Sequence, residues 1–203
     1  MATQSTRSMV SEVSICNQAL SWLAQKPIIS LDQASTQAEW MRNNYPFIRD
    51  ALLESRKWTF AKARAVSTTA DLDAWGVEFK HPAPLGWLKV CSVFDSPYQD
   101  QNEVPWRLEN NYIITEVGTI YLTGILRGSD TGSFSAGFVQ ALAARLAADA
   151  CIPMTENRQL QGDLWTLSVE KLREAAAVDG MQGTNDKVMA TSLIDARRSG
   201  RYT

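Results

Sequence analysis

Apolar residues recur at helical spacing in four stretches of the chain and lose that period in between. In SEVSICNQALSWLAQK, Ile15, Ala19, Leu20 and Leu23 share a face, Ser11 or Ser14 stands at a capping position and Pro27 follows. That pattern predicts a helix over residues 12–25. In TQAEWMRNNYPFIRDALLESRKW the stripe is Ala38, Met41, Tyr45, Ile48, Leu52 and Ser55, with Asp32 or Ser35 near its start. Pro46 lies inside this stripe and lacks a backbone donor, so a kink or short break is expected near residues 43–45, with fraying near Trp58.

Two further helical patterns close the chain. SFSAGFVQALAARLAADACI reads as an alanine-rich helix capped by Ser133 or Ser135, burying Phe138, Leu142, Leu146 and Cys151, with small residues on both faces for close packing. Pro153 and Thr155 restart the chain, and a fourth helix carries Leu160, Leu164, Leu167 and Leu172 as far as Gly180.

Between residues 68 and 132 the texture is β-rich, as in LGWLKVCSVF, VPWRLENNYIITE and GTIYLTGILRG. Asn110-Asn111 is a tight-turn signal, residues 116–118 look like a second turn, and a meander of three short strands with a fourth over 88–94 is the economical arrangement. The end, QGTNDKVMATSLIDARRSGRYT, has isolated apolar residues and a basic finish, and reads as an arm. The expected class is α+β, mainly α: a four-helix bundle of two αα-hairpins (1–67 and 133–181), an inserted antiparallel β lobe (68–132) and an extended C-terminal arm (182–203).

Composition narrows the function more than the fold. A chain of 203 residues, 45% hydrophobic and 21% charged, suits one core domain with an inserted lobe. Its 20 basic and 22 acidic side chains give a net charge of -2, which argues against a general nucleic-acid binder and leaves room only for a local basic patch. No apolar run has the length of a signal peptide core or a membrane span, so neither secretion nor a membrane partner is expected. Cys16, Cys91 and Cys151 lie far apart and read as reduced structural thiols.

The single imidazole, His81, restricts both metal and triad chemistry, and without a Cys or His at ligand spacing it reads as structural. Asp130-Thr131-Gly132 spells the aspartic-protease triplet but follows no apolar strand and has no second copy, so it reads as a turn. Ser168-Val169-Glu170-Lys171 fits S-x-x-K without its companion motifs and lies mid-helix. Gly118, Gly124, Gly128, Gly132 and Gly137 match neither a dinucleotide fingerprint nor a phosphate loop. Asp71, Asp73, Asp95 and Asp100 lack the spacing of a calcium loop. No cofactor, no metal and no catalytic residue are expected. Seven tryptophans are many for one core, which points to aromatic anchors at subunit interfaces, with Trp22, Trp40 and Trp106 as candidates, while about half of the seven fit the core.

One resemblance spans residues 15–201. ICNQALSWLAQKPIISLDQASTQA, followed by Tyr45, Ile48-Arg49-Asp50-Ala51-Leu52-Leu53 and Trp58-Thr59-Phe60-Ala61, resembles the phage tail tubular protein A family of head-to-tail connectors, also called adaptor or gateway proteins. Leu85-Gly86-Trp87-Leu88-Lys89-Val90 is similar to the family's P-x-x-x-L-x-x-V junction, departing from it at Gly86-Trp87, and the alanine-rich helix with its charged successor is similar to the second hairpin. The resemblance implies a virion structural protein, made in the host cytoplasm, that forms a dodecameric ring below the portal. Its partners would be the portal protein, the downstream nozzle or tail-tube protein, further copies of itself, and phage DNA passing through the lumen without sequence-specific binding. The arm would dock on the portal through Leu193, Ile194, Arg197, Arg198 and Tyr202. Two alternatives stand beside it: a virion-associated hydrolase using a carboxylate pair such as Glu54 with Asp50 or a loop pair in the insert, and a DNA-binding module using Arg197, Arg198 and Arg201.

Overall fold

A computed structural model describes residues 10–68, 71–72, 76, 78–98, 103–128 and 130–182. The class is mixed α and β, with four helices and two small antiparallel sheets. Helix α1 (Glu12–Trp22) starts at Ser11, whose hydroxyl accepts from the Ser14 amide at 3.1 Å while the Ser14 hydroxyl accepts from the Ser11 amide at 3.0 Å. It stops three residues short of the sequence expectation because Ala24 takes a positive φ of 52° and reverses the chain. Asn17 then clamps the connector back onto α1, donating to the Ile28 carbonyl at 2.9 Å and accepting from its amide at 2.8 Å.

Helix α2 (Thr36–Glu54), capped by Ser35, runs unbroken through Pro46, so of the expected kink or short break the break does not form. Pro46 is exposed, so the carbonyl it leaves without a helical donor, that of Arg42, is within reach of water, and the interruption costs one bond. After α2 the buried Trp58 ties back to it, its indole N–H donating to the Leu52 carbonyl at 2.9 Å. A 3-10 turn (Thr59–Ala61) follows, anchored by Asp179 from the far end of the chain, which accepts from the Thr59 hydroxyl at 2.6 Å and from its amide at 3.0 Å.

Helix α3 (Ala136–Thr155) is capped by Ser135 and buries Phe138, Leu142, Leu146 and Cys151 as expected. Pro153 falls in its last turn instead of restarting the chain, and Glu156 ends the helix in the left-handed region. Helix α4 (Arg158–Gly180) begins at Asn157, whose side chain accepts from the amides of Gln159 and Leu160. Of the expected leucine stripe only Leu164 is buried. Leu160, Leu167 and Leu172 are half-buried against the core, and Ala175 and Ala176 complete the inward face.

Helix α3 is the hub: it packs most extensively on α4, and also on α1 and α2, whereas α1 and α2 touch each other little. Small side chains make this possible. A Cβ added at Gly137 would lie 3.0 Å from the Ala175 Cβ and 3.1 Å from its Cα, so the α3–α4 crossing is set by the absence of a side chain. Trp58, Phe60, Phe134 and Phe138 close one end of this core, with the Phe134 and Phe138 rings edge to face at 5.0 Å.

The β lobe starts at Lys62, six residues before the sequence expectation. It comprises β1 (Lys62–Ser67), β2 (Asp71–Leu72), β3 (Phe79–Pro82), β4 (Trp87–Phe94), β5 (Arg107–Glu109), β6 (Tyr112–Thr115) and β7 (Ile120–Leu126). A single meander is not what forms: the strands divide into a sheet ordered β1-β7-β4 and a sheet ordered β2-β3-β6-β5. Asn110 and Asn111, with φ of 46° and 65°, make the expected tight turn between β5 and β6. The turn expected at 116–118 instead carries the chain from one sheet to the other, because β6 and β7 do not pair.

Val90, Val93, Ile113, Ile120 and Leu122 form a small second core drawn from both sheets. Irregularities in the β4–β7 register at Leu88 and Cys91 turn those two residues, with Ile125, toward the helical core, which fastens lobe to helices. The chain enters the lobe at Lys62 and leaves it at Ile125, direct partners across the β1–β7 ladder.

Candidate functional site

The proposed interface tryptophans are all half-buried. Trp22 and Trp40 lean on the helical core and Trp106 on the lobe core, each keeping part of its ring at the surface. More exposed apolar groups include Leu85 at 94%, Ile29 at 91% and Phe47 at 76% exposure, of which Ile29 and Phe47 had no sequence signal. Trp165 is also exposed, lying under the Arg145 guanidinium at 4.0 Å from the ring centroid. The arm residues Leu193, Ile194, Arg197, Arg198, Arg201 and Tyr202 lie outside the described residues, as do Asp73, Trp75 and Asp100.

A charged cluster sits where α1, α2 and the end of β7 meet. Arg49 is buried, its side chain 9% exposed, and places Nε at 2.9 Å and Nη2 at 2.8 Å from one oxygen of Asp50. The other Asp50 oxygen receives Arg127 Nε at 2.9 Å, and Glu12 approaches Arg49 at 3.6 Å. Asp50 is therefore a bridging anion between the helical body and the strand that leaves the lobe. Nearby, burial and then the Glu12 carboxylate push the Cys16 thiol up to about 12. The same two causes, in the same order, raise the Tyr45 phenol, whose hydroxyl is buried without a hydrogen-bond partner among the described residues. Nothing in the spacing of Asp50 signals its link to Arg127, because the two meet only through the fold.

His81 is fully buried and engaged at both nitrogens: Nε2 donates to the Val117 carbonyl at 2.9 Å, so Nδ1 accepts from the Ser67 hydroxyl at 3.0 Å. It joins the end of β1, strand β3 and the crossing between sheets, a structural placement. Asp130 caps a short 3-10 turn, accepting from the Gly132 amide at 2.9 Å. Ser168 donates to the Trp165 carbonyl and Lys171 pairs with Glu174, so the two ends of S-x-x-K serve α4 itself. Glu54 is exposed, and Asp50, its suggested partner in hydrolysis, is held by two guanidinium groups.

The lobe also carries a cleft of about 300 Å³ whose lining includes Glu78, Trp106, Arg107, Thr115 and Glu116. Arg107 pairs with Glu78 through both terminal nitrogens and with Glu109 through Nε, which holds β5 to the segment before β3. Among the described residues no group of three or more His, Cys, Asp or Glu is placed to hold a metal ion, and no helix is long and apolar enough to cross a membrane. No family model matches the chain, and no curated protein matches it.

Proposed function

We propose that the protein is a virion head-to-tail connector: a ring subunit, in a dodecamer, that joins the portal to the downstream tail component around the DNA channel. One observation carries this reading. The sequence resemblance implies a helical body interrupted by an antiparallel β lobe, and the described residues have that interrupted order, α1–α2, lobe, α3–α4. In this reading the four helices serve as the bundle of each subunit. The exposed parts of Trp22, Trp40 and Trp106, with Phe47, Ile29 and Leu85, provide apolar contact for neighbouring copies and for the tail protein. The arm, through Leu193, Ile194, Arg197, Arg198 and Tyr202, docks on the portal. The protein has no catalytic role in this assembly, and its place is the head-tail junction of the virion.

The test is the mass in solution, by light scattering, of the protein alone and mixed with its cognate portal ring. About one copy bound per portal subunit is expected, and removal of residues 184–203 is expected to leave the fold intact while abolishing that association. A full-length protein that never associates with portal overturns the connector reading. A truncated one that still does overturns the role of the arm.

A further inference from the structure

One pole of the lobe gathers acidic groups around the cleft. Asp71, Lys80, Ile114 and Arg107 are register partners across the sheet β2-β3-β6-β5 and share one of its faces. Phe79 pairs with Thr115, so the same register carried one residue further sets Glu78 opposite Glu116 on the face of Arg107 and Lys80. Arg107 gives both terminal nitrogens to Glu78 and Nε to Glu109, and the Lys80 ammonium rests 3.9 Å from the centre of the Tyr112 ring. Both cations of this face are thus engaged, whereas the exposed Glu116 forms no ion pair among the described residues. Asp71 stands at the far margin, and Glu103 beside Val104 at the near one. Carboxylates set opposite each other on a ladder repel, and a further cation between Glu78 and Glu116 would relieve that repulsion. Val104, Trp106 and Val117, all half-buried against the lobe core, give the cleft an apolar wall.

We propose that this cleft holds an arginine of the chain's own C-terminal arm. The cleft suits a cation that is flat, forked and carried on an apolar stem. A guanidinium meets a carboxylate with two parallel bonds and lies against an indole, which an ammonium does less well. Residues 196–203 carry Arg197, Arg198 and Arg201 and no acidic side chain. The fold brings the root of that arm to the lobe: Asp179 accepts from the Thr59 amide and hydroxyl, and Gln182 Oε1 lies 3.4 Å from the same hydroxyl, just ahead of β1. Residues 183–196 span up to about 45 Å when extended, a reach well beyond the roughly 27 Å of β4, the longest strand of the lobe. A tethered segment acts at an effective concentration on the order of mM, so a contact too weak to join separate molecules closes within one chain. The contact needs no second protein. That an arm held in this way is withheld from the portal until displaced rests on the connector reading.

The test uses full-length chains and a labelled peptide of residues 183–203, followed by fluorescence anisotropy. The R197Q/R198Q/R201Q chain, its own arm disarmed, is expected to bind the peptide. The native chain, whose arm competes, is expected to bind it at least ~10-fold more weakly, as a cleft closed about nine-tenths of the time requires. Adding E116Q to R197Q/R198Q/R201Q is expected to weaken the peptide at least ~10-fold with an unchanged melting temperature, because Glu116 is exposed and holds no other ion pair among the described residues. E170Q, on the exposed side of α4, is expected to leave binding unchanged and so separates the cleft from general acidity. No binding by R197Q/R198Q/R201Q, equal binding by it and the native chain, or an E116Q effect absent or matched by E170Q overturns the proposal. A native mass by light scattering that rises with concentration, and does not in R197Q/R198Q/R201Q, also overturns it, assigning the arginines to a neighbouring copy. Portal association is read separately, so failure here is distinct from failure of the connector reading.

Discussion

Gly124→Ala is the sharpest probe of how the lobe is built. Gly124 lies in β7, the central strand, between Ala63 and Val90. A Cβ there would fall 2.3 Å from Trp87 Cε3 and 2.4 Å from the Lys89 carbonyl oxygen. Carbon atoms rest at about 3.5–4.0 Å, so the indole would have to retreat by more than about 1 Å. The carbonyl is backbone in β4, beside the irregularity between Trp87 and Lys89, and moves only if the ladder opens. Overpacking of this kind costs about 1–3 kcal/mol, against about 0.5–1 kcal/mol gained by replacing glycine in a strand. With a backbone atom in the way the cost lies at the upper end, for a net loss of about 2 kcal/mol. At about 2–4 °C per kcal/mol for a chain of this size, the melting temperature falls by roughly 4–8 °C. Calorimetry measures that fall, and a cycle with Trp87→Ala is expected to show a coupling of about 1 kcal/mol, because deleting the ring relieves one of the two clashes. An unchanged or raised melting temperature would refute the close approach.

Three further perturbations probe the buried polar groups. Asp50→Asn leaves Arg49 buried with only the distant Glu12, and urea unfolding should show a loss of about 3 kcal/mol; pairing it with Arg49→Met should recover much of that. His81→Leu strands the Val117 carbonyl and costs about 1–3 kcal/mol by the same assay; a neutral result would remove the staple between the sheets. Cys16 is raised from 9.0 to about 12 in the fold, so the folded state holds its proton where the unfolded chain has released it. The contribution is therefore whole below pH 9.0 and lost between 9.0 and about 12. Stability should decline across that window, less steeply in Cys16→Ala, and pH-dependent denaturation that is identical in the two proteins would contradict the burial argument.

Helix positions were legible because their signals are local. Ser11, Ser35 and Ser135 cap the helices they precede, the stripe of α3 is buried, and that of α2 is buried at Ala38, Met41, Tyr45 and Leu52, while Ile48 is half-buried and Ser55 exposed. Pro46 makes no break and Pro153 no restart because proline's cost depends on where its missing donor falls, toward water or in a final turn, which spacing does not encode. Strand β1 was absorbed into the helical segment because its inward positions, Ala63, Ala65 and Ser67, give almost no apolar alternation. The division into two sheets was invisible because 116–118 reads as a hairpin turn until one knows that β6 pairs with β3 and β7 with β1. The Asp50 bridge could not be grouped beforehand either, because only the packing of α2 against the end of β7 brings Arg127 to it.

The adjacency of Lys62 and Ile125 bears on the history of the chain. Paired residues of antiparallel strands stand about 5 Å apart, a gap that a short turn closes. The segment between them begins and ends at one place, so a replacement by another lobe, or by none, would not reroute the helices on either side. What an exchange must supply anew is small: a residue to fill the place of Ile125 in the helical core, and substitutes for Leu88 and Cys91 at the seam. Lineages carrying this helical body are therefore expected to differ most in the segment between these two positions, and to keep an apolar residue at the point where the chain returns.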